Sequence, residues 1–197
     1  ERNDIIVEIA NANVLSFKTE FGRVSNLTLR QVGEKNYFTV SISQGRLELE
    51  DCDITNRAIP SCVGILNGAD PRLRRNQIHN GQGGGIMVYD NGKGTLEDND
   101  IWGNGRANIA ILTGGNPTLR RNRIRNGKQG GVFVYSNGKG TLEDNDIYAN
   151  ALSGVSVKKG SNPTLLRNRI NKNLESGIYI HDNGNGVFRD NDLRNNR

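Results

Sequence analysis

GKGTLEDNDIWGNGRANIAILTG at residues 92–114 returns as GKGTLEDNDIYANALSGVSVKKG at 138–160, and the reading of this pair decides the fold. Around them lie ADPRLRRNQIHNGQGGGIMVYDN (69–91), GNPTLRRNRIRNGKQGGVFVYSN (115–137) and SNPTLLRNRINKNLESGIYIHDN (161–183). Every block is 23 residues long, and two block types alternate to give a 46-residue super-period. Self-similarity at such a period is the signature of a solenoid. Each block carries L-x-x-N-x-I, a Gly/Asn stretch and an alternating V-x-V strand, with helical periodicity nowhere along the chain. Strands of three to five residues returning every 23 positions therefore read as coils of a parallel β-helix. Equivalent residues of neighbouring coils then stack about 4.8 Å apart, so columns of residues are the units to interpret.

The interior columns follow: Leu49, Leu73, Leu96, Leu119, Leu142, Leu165 and Phe188; Ile54, Ile78, Ile101, Ile124, Ile147, Ile170 and Leu193; and two from the alternating strand, running from Val40 to Ile178 and from Ile42 to Ile180. One polar column, Asn76, Asn99, Asn122, Asn145, Asn168 and Asn191, keeps step with them, with Cys52 in its earliest position. An amide there can donate to one coil and accept from the next, so the column reads as a structural ladder. Gly and the Asn-Gly pairs 91–92 and 137–138 are expected to supply the positive-φ turns.

The outward charges alternate in sign: Glu50-Asp51, Arg74-Arg75, Glu97-Asp98, Arg120-Arg121, Glu143-Asp144, beside a stripe of Asp53, Gln77, Asp100, Arg123, Asp146, Arg169 and Asp192. Opposite signs one strand spacing apart attract and penalise a slip of one coil. The LEDND segment is thus ladder electrostatics and lacks the glycine and distal Glu of a calcium loop; no metal and no cofactor are expected.

Composition agrees with a stack of small units. Of 197 residues, 25 are Gly and 28 Asn, against eleven aromatics, and no apolar run is long enough to span a membrane. The net charge is +5. Cys52 and Cys62 make neither a metal spacing nor a disulfide framework. The chain divides into degenerate lead-in coils at 1–44 and regular coils at 45–197, about eight in all (197/23). Further coils, a cap or a partner are expected after Arg197, because Asp192-Leu193 still follows the pattern.

PTLRRNRI, GKQGGVFVY and GKGTLEDNDIYAN resemble the β-helix repeats of F-box-only ubiquitin-ligase substrate receptors and of related bacterial and archaeal carbohydrate-binding and sugar-hydrolase repeats, including the nitrous-oxide reductase maturation type. The likeness covers 45–197 well and 1–44 loosely. It implies an all-β, right-handed, single-stranded parallel β-helix of the pectin-lyase-like kind and, for the F-box relatives, a surface that binds a target protein. No F-box segment is present, so ligase function does not carry over.

A catalytic constellation is not visible. Asp90 and Asp182, the acids just beyond the alternating strand, fall four coils apart, about 19 Å, too far for a glycosidase pair. His79 and His181 lie in different columns. What remains is a surface: Met87, Phe133 and Tyr179 recur every second coil with Gly64, Ala110 and Ser156 between them, flanked by Tyr89, Tyr135, Lys158 and His181. Exposed aromatics on a rigid solenoid suit an extended peptide or a glycan. A second column, His79, Trp102, Arg125, Tyr148, Asn171 and Arg194, mixes aromatic and basic groups, but its interleaved acids argue against nucleic acid. The expectation is a non-catalytic binding or scaffold domain that recognises a protein partner. The alternatives are a polysaccharide-binding or polysaccharide-modifying module and a structural spacer. The setting leans cytoplasmic, with a secreted or periplasmic one as the alternative.

Overall fold

The structure is a computed structural model that describes residues 5–197, so the first four residues of the lead-in coils lie outside the described residues. The chain is all-β and winds as a parallel β-helix of about eight coils with three strand faces. One face carries the alternating strands Ile86–Val88, Ile109–Leu112, Val132–Tyr135, Val155–Val157 and Ile178–Ile180. The second carries Thr95–Glu97, Thr118–Arg120 and Thr141–Glu143, and the third Asp100–Trp102, Arg123–Arg125 and Asp146–Tyr148, each with its equivalents in the other coils. The first two faces join through the 11-residue strand Val40–Glu50, whose first half pairs with Val63–Ile65 and whose second half pairs with Arg72–Arg74.

Every pairing is parallel and the regular coils keep a 23-residue register: Leu96 opposes Leu73 and Leu119, Ile101 opposes Ile78 and Ile124, and Ile109 opposes Ile86 and Val132. The four apolar columns are fully buried from residue 40 to Ile170. In the last coil they are not. Ile180 and Leu193 are 44% and 46% exposed, and Ile178 and Phe188 are half-buried, because these side chains have a stacked neighbour on one side only.

The corner between the second and third faces explains the Asn ladder. Asp51, Arg75, Asp98, Arg121, Asp144, Arg167 and Asp190 all adopt φ between 50° and 56°, a left-handed conformation that costs a non-glycine residue about 1–2 kcal/mol. The next residue offsets that cost. Asn122 Oδ1 accepts from the Asn99 backbone N–H (3.0 Å) and from Asn99 Nδ2 (3.0 Å), while its own Nδ2 donates to Leu96 O (2.8 Å) and to Asn145 Oδ1 (3.0 Å). The same set repeats at Asn99, Asn145 and Asn168, and at Asn76 without the amide donor of the preceding coil. Cys52 heads the column as a buried thiol outside any disulfide, its Sγ donating to Glu50 O (3.2 Å) and its N–H to Asn76 Oδ1 (3.0 Å).

The turn chemistry differs from the sequence expectation. At the pairs 91–92 and 137–138 the paired positive φ values fall one residue earlier, at Asp90-Asn91 and Ser136-Asn137, while in the alternate coils Asn67-Gly68, Thr113-Gly114 and Lys159-Gly160 place glycine in the turn as expected. Gly92 comes after the turn, donating to Tyr89 O (2.9 Å), and must be glycine because a Cβ would meet Ile65 O at 2.5 Å. Asn91 Oδ1 lies 2.4 Å from where a Cβ on Gly114 would be. Bulky and small residues thus alternate between coils, which is the steric origin of the 46-residue super-period.

A second amide ladder, hidden from a column-by-column reading, runs through Asn104, Asn150, Asn173 and Asn196 and is interrupted at Gly127. Asn108 repairs the gap: it accepts from Asn104 Nδ2 (2.8 Å) and donates to Asn150 Oδ1 (3.1 Å). Its column is otherwise glycine at 85, 131, 154 and 177, where the ladder amide of the next coil would crowd a Cβ to within 2.7–2.9 Å. Cys62 fills the corresponding space beside Gly81. Burial pushes the Cys62 thiol up to about 12, so it stays protonated and unreactive.

Candidate functional site

The charged faces carry ion pairs between neighbouring coils. Arg75 pairs with Asp51 (2.6 Å), Arg121 with Asp98 (2.9 Å), and Arg167 with Asp144 (2.9 Å) and Glu143. On the third face Arg123 and Arg125 share Asp100 (2.7 and 3.0 Å), and Arg169 holds Asp146 (2.6 Å). Asp192, expected to continue the stripe toward Arg169, hydrogen-bonds Arg194 instead, at 2.5 Å. The mixed column on this face is a stack. His79 lies on Trp102 with ring centroids 4.2 Å apart, Arg125 covers the other side of the indole, and His79 reaches Asp53 at 3.1 Å. Arg123, Arg125, Arg169 and Arg194 are all engaged by acids, so cations and acids interleave along this face, unlike the unbroken basic track that follows a phosphate backbone.

The alternating-strand face is different. A groove runs along it between the strand residues and a ridge of corner loops. Two cavities open into it, of about 670 Å³ and 310 Å³, and Phe133 belongs to both. The larger has Ala110 as its floor between Met87 and Phe133, with Tyr135, Arg106 and Phe38 around it. The smaller has Ser156 as its floor between Phe133 and Tyr179, with Lys158, His181 and Glu175 around it. Over Gly64 the surface is filled: Phe38 from a lead-in coil lies on it, and a Cβ at Gly64 would meet that ring at 2.8 Å.

Six of the seven residues expected on this surface line the cavities; Tyr89 does not. It packs toward Phe38, at 6.5 Å between ring centroids, and burial, assisted by Asp90, raises its phenol above the ordinary tyrosine range. Phe133 and Tyr135 stack at 4.6 Å, and Lys158 Nζ stands 4.9 Å over the Phe133 ring. Burial raises the Tyr135 phenol too, against the nearby Arg106 guanidinium, so it stays a neutral donor at physiological pH. Tyr179 and His181 stack at 4.4 Å. His181 Nδ1 lies 3.1 Å from Asp182, and its Nε2 lies 3.4 Å from Ser156 Oγ. A carboxylate beside Nδ1 favours the tautomer in which Nε2 is the open acceptor. A search of the sequence for paired histidines passes over this adjacent His-Asp. It also misses Phe38, Arg106, Gln129 and Glu175, which line the cavities from the loops, where no repeating column announces them.

Fold and groove together define a parallel β-helix with a lengthwise cleft on one strand face. The chain belongs to the right-handed β-helix region family, which matches residues 12–151 and 61–197. No curated protein sequence matches it. Among solved structures, the periplasmic alginate epimerase AlgG is similar with a TM-score of 0.63 and 14% identity over 84% of this chain and 55% of that one. The Azotobacter vinelandii mannuronan C-5 epimerase AlgE4 A-module is similar with a TM-score of 0.61 and 15% identity, over 95% of this chain and 76% of that one. The chain thus spans about half the length of the periplasmic enzyme. These likenesses support the β-helix repeat and leave the substrate-receptor branch of the sequence resemblance without support. Among the described residues no helix is long and apolar enough to cross a membrane.

Proposed function

We propose that this β-helix holds an acidic polysaccharide lengthwise in the outer-strand groove. The observation that carries the reading is the alternation, within one continuous cleft, of aromatic faces at Phe133, Tyr135 and Tyr179 with the cations Arg106 and Lys158. Aromatic rings offer apolar faces to sugar C–H surfaces, and a guanidinium or ammonium matches an anionic substituent. Both solved neighbours are named for epimerases of alginate or mannuronan, which favours a glycan over the protein partner expected from the F-box resemblance. One of them is named as periplasmic, which weighs against the cytoplasmic lean.

A second reading, modification of the bound glycan, is favoured by the hollow over Ser156. Lys158 can neutralise a uronate carboxylate, His181 Nε2 can accept the proton α to it, and the Tyr179 phenol lies beside the imidazole. Return of a proton to the opposite face would complete an epimerisation without a further reactant. Titration with acidic hexasaccharides, monitored by NMR, checks both readings. Resonances of Phe133, Tyr135 and Tyr179 are expected to shift while the Trp102 indole on the other face stays still. In D2O the second reading predicts deuterium at C5 of the sugar. Shifts on neither face would remove the glycan reading, and shifts without deuterium would restrict it to binding.

A further inference from the structure

We infer that the groove takes its glycan in two-sugar steps and selects a chain with one anionic group per two sugars. The inference rests on the acidic-glycan reading above and adds register and charge density to it. Met87, Phe133 and Tyr179 stand 46 residues apart, with the small residues Ala110 and Ser156 midway. Two coils advance about 10 Å along the axis, and an extended, equatorially linked glycan advances about one strand spacing per ring, so two rings match one bulky-to-bulky interval. The alternation reaches the surface as shape: each cavity has one small-residue floor, and Phe133 divides them. With Phe38 over Gly64, two hollows are open, not three.

The charge follows the same step. The hollow over Ala110 is lined by one cation, Arg106, and by no acid. The hollow over Ser156 is lined by one cation, Lys158, beside His181 and a rim carboxylate, Glu175, which accepts from Ser153 Oγ at 3.2 Å. Asp90 and Asp182 stand beyond the strand ends, Asp182 engaged by His181. Between Met87 and Tyr179, four coil steps or about 19 Å, a polymer with a carboxylate on every ring would set about five anions against two cations and bring one toward Glu175. A chain with an anion on alternate rings sets one in each hollow.

The test compares hyaluronan hexasaccharide, with one carboxylate per two rings, hexamannuronate, with one per ring, and neutral cellohexaose, by calorimetry in physiological salt. Hyaluronan is expected to bind about tenfold tighter than hexamannuronate, with affinity rising in two-ring increments across a length series. Ala110→Phe, which fills a half-exposed hollow facing outward, is expected to erase the increment between the tetra- and hexasaccharide with the melting temperature unchanged. Equal or tighter binding of hexamannuronate, equal gains at odd and even lengths, or an Ala110→Phe protein that binds normally would overturn the register and charge proposal while leaving the groove reading intact. Binding of neither acidic hexamer would overturn both.

Discussion

The charged corner and the groove face are built on one backbone repeat, yet they resolve the same crowding in opposite ways. Equivalent side chains in both places stack about 4.8 Å apart, so charges of one sign repel, and a large side chain in every coil leaves no space between coils. At the corner the sign alternates, so Arg121 and Asp98 pair with each other across neighbouring coils. On the groove face the size alternates, from Met87 to Ala110 to Phe133 to Ser156 to Tyr179, and what is left between coils is space. The super-period is a packing solution in both regions, and on the groove face it leaves open space between coils.

If crowding between coils is the cause, the largest effects should appear where bulk is added at a buried position whose space a side chain of the next coil already fills. Gly154 is such a place: a Cβ there would lie 2.7 Å from Asn173 Nδ2 and 2.5 Å from Ile170 Cγ2. Gly154→Asn is expected to lower unfolding free energy by about 2–4 kcal/mol, and Asn173→Gly by a similar amount through the partners it strands, the Asn150 amide and Ile147 O. The double variant recreates the arrangement of Asn108 and Gly127, with the new amide bridging Asn150 to Asn196. Urea denaturation should show it more stable than either single variant, with a coupling of about 1–3 kcal/mol; additive losses would refute the bridge.

That pairing also shows what the sequence made legible. Columns with one residue type in every coil, such as Leu96 with Leu119 or Asn99 with Asn122, could be read directly, because a fixed 23-residue offset is the sole relation needed. The second ladder could not be read that way, since its gaps at Gly81 and Gly127 are filled from a different column 19 residues earlier, by Cys62 and Asn108. In each coil from 62 onward, glycine at one position predicts asparagine 19 residues later, and a side chain predicts glycine. The signal was present at an offset no column reading tests. The strand half of the groove was legible for the same reason as the core. Its loop wall was not: Phe38, Arg106 and Glu175 come from corners whose conformation depends on contacts between coils.

The charge alternation is open to a milder break. Arg121→Glu would place a fifth acid between Glu97-Asp98 and Glu143-Asp144, and a reduction in melting temperature of a few degrees is expected at low ionic strength. Salt should restore most of it, as screening shortens from about 10 Å at 0.1 M to about 3 Å at 1 M. Phe133→Ala, on the other face, is expected to leave the salt dependence of stability as it is in the parent protein. A salt response common to both variants would mean that the two faces do not divide their roles as described.

The smallest effect is titration of the same corner. Hydrogen bonding from Arg121 holds the Asp98 carboxyl below the usual aspartate range, which means that the folded state binds the ionised form more favourably than the unfolded chain does. Its contribution is complete above the unfolded value, about 3.9, and disappears as the pH falls through the lower folded value. Because Asp98 is partly exposed, water screens the pair and the contribution is a fraction of a kcal/mol. Difference melts of the parent protein and an Arg121→Gln variant should therefore be separated by a small constant gap from neutral pH down to about 4 and converge below it. A gap that widened on acidification would show that the arginine acts on something other than a carboxylate, and the corner could then no longer be described as closed by ion pairs.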